Sequence, residues 1–138
     1  MNVNYITNRQ EFEAALAELW TIPKLCADFE TTGLDARVHE PRLLQLCTTQ
    51  EDVEDRTVYV IDFFKCKDID GLKALIESRQ MLLFHNANFD LQFFLKLGID
   101  FKKKIFDTFI AERCLRAGYK EKKESPKTEK VFFGDVSC

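Results

Sequence analysis

The sequence predicts an α/β fold in which a mixed sheet, an antiparallel meander plus a parallel strand, is flanked by helices. Two observations carry that expectation. Three strand-like apolar runs between residues 25 and 61 follow one another with no helical periodicity between them, as in a meander. The second half then alternates helical and strand patterns, which requires crossovers onto a shared sheet.

The elements follow in order. Thr7-Asn-Arg-Gln10 has capping-box spacing, and Phe12, Ala15, Leu16 and Leu19 recur on one helical face, so a helix runs from there to near Pro23. Leu25 to Glu30, Leu43 to Thr48 and Val58 to Ile61 predict three strands, divided by polar segments holding Gly33, Pro41 and the acidic run Glu51 to Asp55. Ile69 to Glu77 predicts a short helix capped near Asp68 or Asp70, and Met81 to Phe84 a brief strand. Asn88 to Leu97 predicts a helix closed by Gly98, and Thr108 to Ala117 another, with Asp107 as N-cap and Gly118 past its end. From Lys120 the run KEKKESPKTEK is charged, carries Pro126 and has no apolar periodicity. Residues 119–138 are therefore expected to be a charged, mobile tail behind a domain at 1–118, and the final VFFGDVSC is too short to classify.

Composition narrows the function classes. At 138 residues, with 46% hydrophobic and 31% charged residues, the chain has room for one domain and is neither disordered, collagen-like nor coiled-coil. Thirteen Phe make aromatic burial a main source of stability. A formal net charge of −3 excludes nucleic-acid binding through overall basicity, so such a partner needs local Lys/Arg patches or metal ions bridging acidic groups to phosphate. Cys26, Cys47, Cys66, Cys114 and Cys138 are odd in number and form no CxxC, which fits reduced thiols better than a disulfide framework or zinc ribbon. With no long apolar run and no basic-then-apolar leader, a soluble cytoplasmic protein is expected, with no membrane partner.

Two segments could carry chemistry. Strand alternation puts Asp28 and Glu30 on one face, and two carboxylates beside a buried strand repel unless a cation or hydrogen-bond donors compensate them. A hard divalent ion such as Mg²⁺ suits them because it prefers oxygen ligands and keeps waters for substrate phosphate; a chance pair of exposed acids is the plain alternative. The second segment, Phe84-His85-Asn86-Ala-Asn-Phe89-Asp90, leads from a strand into a helix, where ligands of open α/β sheets gather. Its plain alternative makes Asn88 an N-cap, Asp90 a partner of the helix dipole and Asn86 a turn former.

Taken together, Asp28-x-Glu30-Thr31-x-x-Leu34 followed by His85-Asn86-x-x-Phe89-Asp90 resembles the DEDD superfamily of 3′-5′ exonucleases, which includes ribonuclease D and the proofreading domain of family A DNA polymerases. The resemblance covers about residues 20 to 118; Ile105-Phe-Asp107-Thr108 continues it, and Arg42-Leu-Leu-Gln-Leu looks more like the polymerase branch. It implies a ribonuclease H-like fold and hydrolysis of phosphodiester bonds at the 3′ end of single-stranded DNA or RNA. It further implies that Asp28 bridges two Mg²⁺ or Mn²⁺ ions, that Glu30 binds the ion nearer the nucleophilic water, and that Asp90 holds the second ion through a water. Thr31 would contact the terminal nucleotide, Leu34 wedge against the last base, and Asn86 help hold the scissile end.

The family's third motif, Tyr-x-x-x-Asp or His-x-x-x-x-Asp, is not found beyond Gly118. Tyr119 is followed four positions later by Lys123, and Asp135 has Val131 and Lys130 at the two spacings. Without that carboxylate and water-orienting group, activity is expected to be impaired. A truncated or frame-shifted product, a pseudo-exonuclease that binds without cutting, and a site completed by a second chain all remain open. The rivals are a non-catalytic nucleic-acid or protein interaction module and a phosphatase using Asp28 and Glu30. His85 reads as a structural histidine and Asp107 as an N-cap. Phe93, Phe94, Leu91 and Leu97 read as core, and Lys102 to Lys104 with Lys120, Lys122 and Lys123 as solvated faces that could also follow a phosphate backbone.

Overall fold

Alternation decides the sheet. Along residues 24–31 the odd positions Leu25, Ala27 and Phe29 are buried, while Asp28 and Glu30 face outward. The computed structural model describes residues 1–117 together with the backbone of 120–124 and 131–135. In chain order the elements are β1 (Asn2–Ile6), α1 (Arg9–Leu19), β2 (Lys24–Thr31), β3 (Pro41–Thr48), β4 (Thr57–Asp62), α2 (Leu72–Ser78), β5 (Met81–Phe84), α3 (Ala87–Lys96), β6 (Lys104–Asp107) and α4 (Thr108–Leu115). The sheet runs β1-β4-β3-β2-β5-β6. β2, β3 and β4 form the expected antiparallel meander, and β1 on β4, β5 on β2 and β6 on β5 are parallel. This is the mixed sheet the sequence pattern predicts and the ribonuclease H-like arrangement the family resemblance implies, extended at each edge by a strand the sequence pattern did not announce. Lys120–Glu124 (β7), in the run expected to be a charged tail, and Val131–Asp135 (β8), in the stretch too short to classify from sequence, pair antiparallel in a separate two-stranded sheet.

One core joins the inward face of the sheet to three helices. Leu25, Phe29, Leu44, Leu46, Tyr59, Ile61, Leu82 and Phe84 meet Phe12, Leu16 and Leu19 of α1, Leu72, Leu75 and Ile76 of α2, and Phe93 and Phe94 of α3. Phe94 stands edge-on to Phe29 at 4.7 Å and to Phe84 at 6.2 Å, an arrangement the ring quadrupole favours. Each such side chain contributes about 1.5 to 3 kcal/mol by leaving water.

Helix starts differ from the sequence reading in instructive ways. The cap of α1 is Asn8, one residue later than Thr7: its side chain accepts from the Glu11 N–H at 2.9 Å, and the Glu11 carboxylate accepts in return from the Thr7 N–H at 2.8 Å. α2 begins at Leu72 rather than Ile69, behind Gly71 at φ +97°, a conformation that favours glycine. α3 begins at Ala87, so its cap is Asn86 and not Asn88.

Arg79 closes the end of α1. Its buried guanidinium donates to the carbonyls of Leu19 at 3.0 Å, Trp20 at 3.2 Å and Ile22 at 2.6 Å, satisfying groups that the helix leaves without partners, and lies over the Trp20 ring. Replacing it with an isosteric apolar chain strands those carbonyls. Arg79→Met is expected to lower stability by about 3 kcal/mol, read from urea unfolding followed by circular dichroism.

Candidate active site

Asp28 and Glu30 stand on the outward face of β2, opposite the face on which the helices pack. Two residues apart on a strand, their Cα atoms are about 6.5 Å from each other. Burial and then the neighbouring Glu30 push the Asp28 carboxyl up, and the nearby His85 pulls it back. Between Glu30 and Thr31 the register with β3 slips, so the regular ladder is interrupted beside the carboxylates.

Asp90 reaches the same place from the first turn of α3. It is 1% exposed, and its Oδ1 accepts from the Phe29 backbone N–H at 2.9 Å. Burial pushes its carboxyl up to about 6 against that hydrogen bond, with the Asp28 charge adding to the rise. The expected helix-dipole partner is thus also the group that ties α3 to β2.

The start of α3 has an organiser the sequence reading valued too low. Asp107 caps α4 as expected, accepting from the N–H groups of Phe109 at 2.9 Å and Ile110 at 3.4 Å. It also accepts from Asn86 N–H at 2.9 Å and Ala87 N–H at 2.7 Å, so one carboxylate caps two helices. Burial raises its pKa, but the four backbone donors outweigh burial and hold the carboxyl below its ordinary value. Asn86 itself sits at φ +67°, a region that asparagine tolerates better than most residues, and its side chain makes no cap bond.

His85 behaves as the structural histidine foreseen: its Nδ1 lies 2.9 Å from Thr108 Oγ1 and its ring stands edge-on to Phe109. His85 and Asp90 happen to have the His-x-x-x-x-Asp spacing, yet Asp90 is the buried second-segment carboxylate, so the pair adds no new one. Thr31 donates its hydroxyl to the Gly33 carbonyl at 2.6 Å. Leu34 is 83% exposed, on a loop braced from both sides: Thr32 N–H donates to Glu40 O at 3.0 Å, and Lys96 of α3 pairs with Glu40 at 3.0 Å. Gly33 lets this loop close, since a Cβ there would come within 2.4 Å of the His39 ring. Tyr119 lies outside the described residues, as do the side chains of Lys123 and Asp135.

Asp28, Glu30, Asp90 and His85 therefore converge electrostatically at the end of β2 and the start of α3, while Leu34 projects from the adjoining loop. Residues 3–122 match the family model described as 3′-5′ exonuclease, of the DNA polymerase A type. The chain belongs to the 3′-5′ exonuclease family. This exonuclease-family chain is 34% identical over 115 residues to DNA polymerase I of Aquifex aeolicus, covering 83% of itself and 18% of that protein. It spans about a fifth of that relative. Its fold resembles Escherichia coli RNase D at TM-score 0.66 and 22% identity, covering 81% of this chain and 28% of the other. It likewise resembles Trypanosoma brucei RNase D in complex with RNA U12 at TM-score 0.68 and 14% identity, covering 83% and 40%.

The raised Asp90 pKa carries a sign. Its folded value, about 6, lies above that of an unfolded aspartate, so its contribution is fully present below about pH 4 and is lost as pH rises through 6. In EDTA, Asp90→Asn is expected to flatten the fall in stability between pH 4 and 7 and to stabilise the chain at pH 7.5 by on the order of 2 kcal/mol. Thermal unfolding across that range tests it; an unchanged pH profile would show that Asp90 is not the titrating group.

Proposed function

We propose that the chain is a divalent-metal-dependent 3′-5′ exonuclease acting on the 3′ end of single-stranded DNA or RNA. One observation carries the reading: Asp28, Glu30 and Asp90 gather at one end of β2, and among the described residues none of them is paired with a lysine or arginine. Such a set repels itself, and an all-oxygen donor set suits a hard cation such as Mg²⁺ or Mn²⁺. Among the described residues no group of three or more His, Cys, Asp or Glu side chains is placed so that it could hold a metal ion. That fits an ion held by one or two carboxylates, with waters and substrate phosphate filling its remaining positions. Asp28 and Glu30 are assigned direct contact with the two ions, and Asp90, turned to the Phe29 N–H, a contact through water.

Divalent ions held by Asp28 and Glu30 would supply positive charge for the scissile phosphate and an activated water for in-line attack. The chain's own residues orient the end of the strand. Thr31 spends its proton on Gly33, which leaves its oxygen free to accept from a terminal 3′-hydroxyl. Leu34, held outward on a braced loop, wedges against the last base, and Asn86 steadies the scissile end. A structural neighbour bound to RNA U12 supports nucleic acid as the ligand class. Because residues 119–138 offer no third motif, we assign the isolated chain slow turnover, which a second chain supplying that motif would raise. No helix among the described residues is long and apolar enough to cross a membrane, and we assign the protein to the cytoplasm.

Digestion of 5′-labelled single-stranded DNA and RNA is the direct test. A ladder shortening from the 3′ end with Mg²⁺ or Mn²⁺, lost in EDTA and reduced at least about a thousandfold by Asp28→Ala, is expected. Mg²⁺ should also raise the melting temperature of the wild type and leave that of Asp28→Ala, Glu30→Gln unmoved. No cleavage by a folded chain, with 3′-end binding that survives both substitutions, overturns the catalytic reading in favour of a binding module.

A further inference from the structure

The opposite end of the same strand carries the reverse charge. Lys24, Met81 and Lys104 open β2, β5 and β6 and fall in one register row across the three parallel strands, so their side chains share a face. Adjacent strands lie about 4.8 Å apart, which puts the two lysine backbones about 10 Å from each other with Met81 between them. This row lines a groove of about 750 Å³ that Gln80, Lys102 and Lys103 complete. Lys102 pairs with Asp100 at 3.2 Å, and Lys103 Nζ donates to the Ser78 carbonyl at 3.2 Å. Lys24 and Lys104 have no carboxylate partner among the described residues. Four ammonium groups around one concavity, in a chain of net charge −3, form a site for a polyanion.

We propose that this groove holds the phosphodiester backbone of a single strand upstream of its 3′ nucleotide, an inference that rests on the exonuclease reading of Asp28 and Glu30. The face and the direction select the polyanion. Lys24 precedes Asp28 by four residues on one strand, hence on the same face and about 13 Å away along β2. A nucleic acid with its 3′ end at the carboxylates reaches the lysines within a few nucleotides, whereas an acidic peptide has no reason to be led there. The concave shape disfavours a lipid surface. Lys24 and Lys104, whose ammonium groups have no carboxylate partner among the described residues, make the phosphate contacts, and release of the strand's counterions makes the binding salt-dependent.

The test combines strand length with charge reversal. Binding of a fluorescein-labelled dinucleotide and a 12-mer is followed by anisotropy in Ca²⁺, a hard cation that neutralises the carboxylates so that 3′ ends can approach them, for the wild type and for Lys24→Glu/Lys104→Glu, with circular dichroism confirming the fold of both. The 12-mer Kd is expected to rise at least about tenfold at low salt, and the slope of log affinity against log salt to shrink by about 1.4, the loss of two single-strand phosphate contacts. The dinucleotide, too short to span from Asp28 to Lys24, should be unaffected. Equal losses at both lengths, an unchanged 12-mer, or no binding of either by the wild type overturns the groove. Loss of length-dependent binding in a chain that never cleaves upholds the groove and sinks the hydrolytic reading instead, so the two failures are distinguishable.

Discussion

The site depends on one hydrogen bond, from the Phe29 backbone N–H to the Asp90 carboxylate at 2.9 Å. β2 outruns its parallel neighbour: pairing with β5 stops at Cys26, and the donors beyond that point still need partners. Asp90 meets that need from α3, and it does so as a buried acid whose charge the fold disfavours. A neutral amide could accept the same bond at less cost in desolvation. The choice of a carboxylate therefore makes physical sense through the charge it brings next to Asp28, and the strand overhang is what leaves Asp28 and Glu30 beyond the cover of β5.

Around that bond, polar contacts over long sequence separations hold the site still. Asp107 binds the starts of α3 and α4 with one carboxylate, so the turn that carries His85 and Asn86 has little freedom to drift. Lys96, at the far end of α3, holds Ala36 O at 3.1 Å and Glu40 at 3.0 Å, which fixes the loop presenting Leu34 to the same helix. α3 is thus anchored to β2, to the turn before α4 and to the Leu34 loop. Positioning of this kind matters for hydrolysis because small displacements of reacting groups have large effects on rate.

Much of this was legible in the sequence wherever one side of an element is buried. The alternation of Leu25, Ala27 and Phe29 with Cys26, Asp28 and Glu30 gave away both β2 and the shared face of the two acids. β1 and β6 escaped because they lack such a face: all but Ile6 of β1 is exposed, and β6 is exposed to half-buried throughout. Their strand character comes from pairing at the sheet edges, to which periodicity is blind. Asn88 looked like a helix cap because capping was sought locally, whereas the N–H groups at the true start are met by Asp107, twenty residues on. The double role of Asp107 had the same hidden cause; only its bonds to Phe109 and Ile110 are local in sequence. β7 and β8 likewise owe their pairing to each other rather than to any apolar pattern.

The outward face of β2 orders charge along its length. Lys24 stands at its beginning, the half-buried Cys26 follows, and Asp28 and Glu30 close it. An anionic strand lying over this face meets attraction at one end and repulsion at the other. Repulsion at the carboxylates vanishes only when cations neutralise them, so metal loading and strand placement are coupled: without ions a strand would be held by its upstream phosphates with its 3′ end kept away from the acids. The −3 net charge then acts as a filter, because contact anywhere but the lysine groove and a metal-filled site is disfavoured. A globally basic surface would bind nucleic acid more tightly but in many registers. For a reaction confined to a chain end, one weakly attractive groove at a fixed distance from the carboxylates selects the productive register, and that selection follows from where β2 places its charges.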